Sequence, residues 1–424
     1  MRVLVVGGGG REHALSWRLS LSPSVTELHV APGSAAIARL ATCHDVSAED
    51  VSGQLELAQR LEAELVVVGP EAPLVAGLAD QLRQAGIATV GPAAAAAELE
   101  GSKAFAKAVM NAAGVPTAGH ETFTDEAAAL EYLSQGEGPI VIKADGLAAG
   151  KGVTVAADRA EASEAVKSCF EGRFGQAGAR VVIEEFLVGT ELSFIALCDE
   201  TGIVPLASSQ DHKRLGDGDT GPNTGGMGAF SPSPLCDEAM TEKILAEVME
   251  PTLAELKRRG LTFRGFLYAG LMVHEGELKV LEFNVRCGDP ETQVLMLRCE
   301  GDLGLWLHAT ARGELGRLKD SFAAGPTWSK GAAVGVTMAS RGYPASSEKG
   351  VPIEGVDAAF GDEVVVFHAG TRAGCSGWET HGGRVLTVCA HASSMEKAAS
   401  VAYDVVGKIH FDGMQYRRDI ARES

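Results

Sequence analysis

Over the first hundred residues the hydrophobic positions alternate between two rhythms. Residues 2–6 are an almost unbroken aliphatic run, and after the four glycines at 7–10 the apolar positions recur with helical spacing to about Leu19. Residues 28–30 predict a second strand closed by Ala31, Pro32 and Gly33. Residues 65–68 predict a third, ending in Gly69, Pro70 and Glu71, and residues 87–90 a fourth before Gly91 and Pro92. Continuous apolar strands that end in Gly/Pro turns, with helices between them, predict a parallel sheet covered on both faces.

Beyond this point the pattern changes. A helix is predicted over about 102–113, ended by Gly114 and Pro116. Residues 140–143 and 153–156 flank a short glycine-rich connection and predict a hairpin, with further strands at 180–185, 192–198 and 203–206. Residues 208–234 are rich in Gly, Asp and Pro and read as one long loop, of the kind that is functional or disordered. A helix is expected over 241–259, and a second hairpin from 265–273 and 277–283. After Gly325, strands at 331–338, 363–368 and 384–390 and a helix near 395–409 predict a small α+β unit.

Composition narrows the function. The 424 residues are 46% hydrophobic and 22% charged, a soluble globular balance long enough for about three domains. A formal charge of −19 repels phosphate backbones and anionic lipid, and 5% aromatics leave little for base stacking, so neither nucleic acid nor membrane is an expected partner. The eight cysteines form no CxxC pair and read as free thiols in a reducing compartment, with the cytoplasm as the expected location. No apolar stretch reaches the length of a spanning helix.

Three glycine- and charge-rich segments carry candidate chemistry. The glycines before Arg11 follow a strand and open a helix, where backbone N–H groups can meet an anion. A dinucleotide site would need a third glycine where Glu12 or His13 stands, and an acid where Ala31 and Pro32 end the second strand. From Lys143 to Gly152 a glycine loop runs between strands, with Lys151 near its tip; no Ser or Thr follows that lysine and no helix begins there, so it is not a P-loop. A loop of this kind can close over a triphosphate. Glu282, Asn284 and Arg286 alternate onto one strand face, where hard oxygens at i and i+2 suit Mg²⁺ and the guanidinium suits a transferring phosphoryl group.

Together these segments resemble the ATP-grasp ligases and, among them, the phosphoribosylamine–glycine ligases, along essentially the whole chain. The resemblance runs through GGREHAL (9–15), VGPEAPL (68–74), EGSKAF (100–105), IVIKADGLAAGKGV (140–153), VIEEFL (182–187), SQDHKR (209–214), GPNTGGMGA (221–229), EFNVRCGDPETQ (282–293) and GGRVL (382–386). It implies an N-terminal parallel α/β domain over 1–100, a central ATP-grasp fold over 101–320 with a lid at about 118–190, and a C-terminal α+β domain over 325–424. It also implies that glycine, activated by ATP as glycyl phosphate, is joined to 5-phosphoribosylamine in purine synthesis, by a monomer or weak dimer using Mg²⁺ or Mn²⁺.

Carried over position by position, Lys103 and Lys143 resemble the ATP-phosphate lysines, and Gly150, Lys151 and Gly152 the closing loop. Glu184, Glu185, Phe186 and Leu187 resemble the adenine-binding linker, and Glu191 the ribose-hydroxyl acceptor. Glu282 and Asn284 resemble the metal ligands and Arg286 the γ-phosphate partner. Asp211, Lys213 and the loop of Asn223, Thr224, Gly225, Gly226 and Met227 are expected to hold glycine and phosphoribosylamine. Arg286, Lys143, Asp211 and Lys213 are the expected catalytic group. Gly9, Gly10, Arg11, Pro70 and Glu71 are expected to receive the ribose phosphate and its hydroxyls. One departure is notable: the strand before the Glu282 strand carries no acid between Tyr268 and Val273. Other ATP-grasp carboxylases and an ATP-binding sensor without catalysis remain alternatives, separable by substrate tests.

Overall fold

The computed structural model describes residues 1–147, 152–173, 175–322, 325–375 and 377–422. The first hundred residues form a five-stranded parallel sheet. The strand Arg2–Gly7 is central, flanked by Glu27–Pro32 and then Thr42–Cys43 on one side, and by Leu65–Val68 and then Ala88–Val90 on the other. Leu4 and Val6 point to one face with Leu57 and Leu78, Val3 and Val5 to the other with Leu15 and Leu307. Strand side chains alternate between faces, so two covered faces require the continuous apolar run seen in the sequence.

Two antiparallel sheets follow. The lid sheet orders its strands His120–Phe123, Val181–Glu185, Ile140–Ala144 and Val153–Ala156, and the expected hairpin pairs Ile140 with Ala156 and Lys143 with Val153. Helices Glu126–Ser134 and Arg159–Ser168 close a separate small core around Leu133, Ile142, Val166 and Ile183. The floor sheet orders Ile203–Pro205, Thr190–Cys198, Gly265–His274 and Glu277–Asn284. Two helices, Ala94–Gly101 and Lys103–Ala113, link the parallel sheet to the lid, the second capped by Ser102 Oγ on Phe105 N at 3.1 Å.

Two expectations change. The 208–234 segment is not one irregular loop, because it contains the short strands Gln210–Asp211, Arg214–Gly216, Thr220–Asn223 and Gly228–Ser231. The first and last of these join the C-terminal strands, giving a sheet ordered Gln210–Asp211, Gly228–Ser231, Ala332–Ala339, Arg384–Ala392 and Val364–His368. The helix expected over 241–259 is interrupted: Leu245–Met249 forms a π turn between Glu238–Ile244 and Glu250–Arg258. Pro251 lies just beyond that turn, and a proline ring inside a regular helix clashes with the carbonyl four residues back. At the end of this stretch Arg258 and Arg259 both pair with Glu255, at 2.6 and 2.7 Å.

Candidate active site

A cleft of about 780 Å³ opens between the lid and floor sheets and is completed by Arg11 and Glu71, from the first turns of two helices that follow strands of the parallel sheet, and by Arg384 from the C-terminal sheet. Of the residues expected at the site, Arg11, Glu71, Lys103, Lys143, Gly152, Glu184–Leu187, Glu191, Asp211, Lys213, Asn223, Thr224, Gly225, Glu282, Asn284 and Arg286 line it. Gly150 and Lys151 lie outside the described residues.

One end of the cleft is lined by lysines. Lys103 opens its helix and donates to the Gly146 carbonyl at 2.9 Å. Asp145, on the same turn, accepts from Ser102 Oγ at 3.0 Å and Ala104 N at 3.1 Å, tying the lid to the start of that helix. Lys143 donates to the Leu281 carbonyl at 2.9 Å, and its Nζ lies 3.0 Å from Glu184 Oε1. Glu184 Oε2 is 3.1 Å from Lys107, one helical turn after Lys103. Burial lowers the Lys107 ammonium to about 8 although Glu184 opposes the shift, and burial likewise lowers Lys103. Beside them Phe186 is 42% and Val188 64% exposed, an apolar shelf next to the backbone of the linker.

Glu282 and Asn284 follow on the edge strand of the floor. Burial pushes the Glu282 carboxyl up, but Lys213, Lys143, Lys103 and Arg286 outweigh it and hold it at about 2, so the group is ionised at every working pH. Gly270 stands opposite Glu282, and a Cβ there would lie 3.2 Å from Glu282 Cγ; the missing acid is therefore replaced by room for Glu282 itself. Among the described residues no group of three or more His, Cys, Asp or Glu could hold a metal. Glu282 and Asn284 fit a hard divalent cation as two oxygen donors on one strand face, with the remaining positions left to phosphate and water.

Arg286 is engaged on every side. Its Nη2 lies 2.7 Å from Glu100 Oε1 and donates to Asn284 Oδ1 at 3.1 Å; its Nε is 3.4 Å from Glu71 and its Nη1 donates to the Cys287 carbonyl at 3.2 Å. Burial alone would raise Glu71, yet Arg286 and Arg11 hold it below the usual carboxylate range, whereas burial keeps Glu100 above it. Cys287 is buried and its thiol is pushed up to about 11 by desolvation, as befits a packing residue.

The other end is acidic. Lys213 bridges Glu191 at 2.8 Å and Glu282 at 3.6 Å. Burial, and then Glu291, Glu191 and Glu282, push Asp211 well above the usual range against the pull of Lys213. Glu291 accepts from Tyr268 at 2.6 Å and Ser193 at 3.2 Å. Thr224 donates through N and Oγ1 to the Lys213 carbonyl at 2.7 and 2.8 Å, and Arg384 donates to the Gly225 and Asp289 carbonyls, each at 2.6 Å. A further tie comes from the C-terminal segment: buried Arg417 bridges Asp219, at the tip of the hairpin between Lys213 and Thr224, at 2.5 Å and Asp419 at 2.6 Å.

Five expected ligands do not line the cleft. Gly9 N donates to Glu12 Oε2 at 2.8 Å within a capping box, and Gly10 is buried where a Cβ would lie 2.8 Å from Gln293 Nε2. Pro70 caps the short helix Glu71–Val75. Gly226, with φ at 116°, passes where a Cβ would meet Pro290 Cδ at 2.4 Å, and Met227 is fully buried. These glycines and the methionine answer packing demands, and Arg11 and Glu71 are what this region presents to the cleft. His13 accepts from His368 N at 2.9 Å, and burial lowers it to about 4, so it is neutral and structural. Conversely, Glu100, Lys107, Asp289, Glu291 and Arg384 line the cleft unanticipated. Helical spacing from Lys103 was the available signal for Lys107; the others lie inside or beside quoted motifs.

The chain matches the phosphoribosylglycinamide synthetase N domain over 1–100, its ATP-grasp (A) domain over 101–292 and its C domain over 333–423. It is 49% identical to a phosphoribosylamine–glycine ligase of Rhizobium meliloti, covering 99% of this chain and 98% of the relative. The corresponding enzyme of Allochromatium vinosum is also 49% identical, over 100% and 99% of the two chains. A crystal structure of the Thermotoga maritima phosphoribosylamine–glycine ligase superposes with a TM-score of 0.83 at 35% identity, covering 99% and 100% of the chains. The biotin carboxylase domain of the Hydrogenobacter thermophilus 2-oxoglutarate carboxylase, solved with MgADP and bicarbonate, shares the fold at a TM-score of 0.75 and 18% identity, over 98% and 91% of the chains. With three domains matched in order and half its residues shared with full-length relatives, the chain belongs to the phosphoribosylglycinamide synthetase family.

Proposed function

We propose that this chain is a C–N ligase that joins glycine to 5-phosphoribosylamine, with cleavage of ATP to ADP and phosphate, in purine synthesis. A glycine carboxylate oxygen attacks the γ-phosphorus, ADP leaves, and glycyl phosphate forms. The amine nitrogen of phosphoribosylamine then attacks the acyl carbon, phosphate departs, and the amine loses a proton. A carboxylate is a poor acyl donor until its oxygen becomes part of a phosphate leaving group, so positioning and charge carry the reaction without a protein nucleophile.

The observation that supports this reading best is the convergence of Lys103, Lys143, Lys213 and Arg286 with Glu282 and Asn284 on one cleft in an otherwise acidic protein. We assign the ATP phosphates to Lys103, Lys143 and the loop ending at Gly152, the adenine edge to the backbone of residues 184–187, and the ribose hydroxyls to Glu191. Glu282 and Asn284 would hold Mg²⁺ or Mn²⁺, whose charge offsets that of the triphosphate. Arg286 draws off phosphoryl charge as transfer proceeds. Asp211, Lys213 and residues 223–225 hold glycine and the amine, with Arg11 and Glu71 at the sugar phosphate. Lys213, held between Glu191 and Glu282, spans the boundary between nucleotide and acceptor, where the acyl phosphate must sit. The domain limits 1–100, 101–320 and 325–424, with a lid at 118–190, belong to the same proposal.

The deciding assay is ADP release from ATP–Mg²⁺ with glycine, with and without freshly generated phosphoribosylamine. Release that requires both is the expected result. Release with neither would assign another ATP-grasp substrate, and ATP binding without any release would leave a sensor.

A further inference from the structure

Lys107 lines the cleft but holds none of the roles assigned above. Its ammonium is 3.1 Å from Glu184 Oε2 and donates at 2.8 Å to Thr117 Oγ1, which itself donates to the Val280 carbonyl at 2.7 Å. Lys143 meets the other oxygen of the same carboxylate. Its Nζ is 3.0 Å from Glu184 Oε1, a buried atom without a hydrogen bond, and donates to Leu281 O at 2.9 Å. The two lysines thus meet opposite oxygens of Glu184 at ion-pair distance, Lys107 anchored on the helix side by Thr117 and Lys143 by a floor carbonyl. The Glu184 side chain is only 3% exposed, so solvent cannot neutralise it if a partner leaves.

That sharing matters because a lysine serving a nucleotide must turn toward phosphate when the nucleotide arrives. A carboxylate left bare in a dry site would hold its last cation in place. We propose that Lys107 is a positioning residue for nucleotide binding: by keeping Glu184 neutralised from the helix side, it lets Lys143 leave that carboxylate for phosphate oxygens. The inference rests on the assignment of Lys143 to the ATP phosphates. It also gives Glu184 a side-chain task separate from the backbone contact assigned to it. The lid supplies Lys143 and Glu184, the helix supplies Lys107, and the floor strand supplies the neighbouring carbonyls of Val280 and Leu281, so the exchange occurs where these three elements meet.

The test is the Kd of ATP–Mg²⁺, by calorimetry, for the wild type and for K107M, K107R, E184Q, K107M/E184Q and K143M, with the KM of glycine alongside. K107M is expected to raise the ATP Kd by on the order of tenfold, with the glycine KM unchanged. K107R is expected to stay close to wild type. K107M/E184Q is expected to bind ATP as E184Q does, since the neutral amide that replaces the Glu184 carboxylate no longer restrains Lys143. An ATP Kd for K107M within twofold of wild type, or a double variant as weak as K107M alone, would overturn the proposal. If K107M fails to fold, the comparison of the double variant with E184Q decides: equal affinities support the idea and a tenfold deficit ends it. If K143M binds ATP as the wild type does, the assignment of Lys143 itself fails; if K143M binds weakly while K107M does not, only the role of Lys107 is lost.

Discussion

Two buried charge clusters meet in the same cleft with opposite stoichiometry. At the lysine end, two ammonium groups share the single carboxylate of Glu184. At the floor, one guanidinium, Arg286, lies between the two carboxylates of Glu71 and Glu100. The first cluster carries surplus positive charge and is completed by an anion. The second carries surplus negative charge, offset by Arg11 nearby, and its arginine has its donors engaged before any ligand arrives. Counting partners therefore separates a cluster with positive charge to spare from one whose cation is already engaged, although both use basic residues of the same cleft.

The largest effect should come from breaking the second cluster. Arg286→Met leaves Glu71 and Glu100 without their cation, which costs about 3–5 kcal/mol for a buried pair, and it should also lower kcat by on the order of 10²-fold if the guanidinium acts on phosphoryl charge. Urea unfolding and ADP release at saturating substrates separate the two losses. A stability loss with unchanged kcat would leave Arg286 a wall residue only.

Alkaline pH should divide the clusters more gently. The lysine end can lose a proton near pH 8, because burial lowers Lys107 despite Glu184, with Lys143 and Glu185 the other charges facing it; an arginine cannot titrate in this range. Because the folded value lies below that of the unfolded lysine, the unfolded chain binds more protons between about pH 8 and 10, and Lys107 contributes a stability that rises with pH across that window. ATP affinity should fall over the same window as the cation is lost. Titrating ATP–Mg²⁺ binding and urea midpoints from pH 7 to 9.5 checks both signs, and the wild-type stability slope attributable to this group should vanish in K107M. The smallest effect belongs to Cys287 beside Arg286. Cys287→Ala should keep kcat within about twofold and cost about 1 kcal/mol, and thiol reagents near neutral pH should leave the wild type active, because the buried thiol stays protonated.

The sequence made the two kinds of region legible to different degrees. The parallel sheet was readable because burial on both faces leaves continuous apolar runs such as 65–68, and the lid hairpin because its strands are neighbours in the chain. The 208–234 segment was not, since strands of two to four residues carry almost no periodicity and find their partners across more than a hundred positions, as Ala229 does with Gly335. At the site, Lys103, Lys143, Glu282 and Arg286 stood out as charges in glycine-rich or strand-end settings. Lys107 did not, because a lysine within a helix reads as a solvated face until a carboxylate 77 positions away is known to reach it. The glycines show a second demand that the sequence leaves unread: at Gly10 and Gly226 a side chain would meet Gln293 and Pro290, and sequence alone does not distinguish room for a ligand from room for a neighbour.

The strands at 210–211 and 228–231, and the Arg417 clamp on the hairpin between them, have a consequence for how this protein comes to exist. As the chain emerges in order, the lysine end of the cleft draws its charged side chains and their partners from residues 103–284. The end lined by Asp211 and Lys213 is completed later, because its strands wait for partners beyond residue 332 and its hairpin for a side chain at 417. Such long-range closure is slow relative to local structure. On the assignments proposed above, a partly synthesised chain offers a place for a nucleotide before it offers a complete place for the molecules that would consume it, and ligation waits until the residues beyond 332 have folded back onto the cleft.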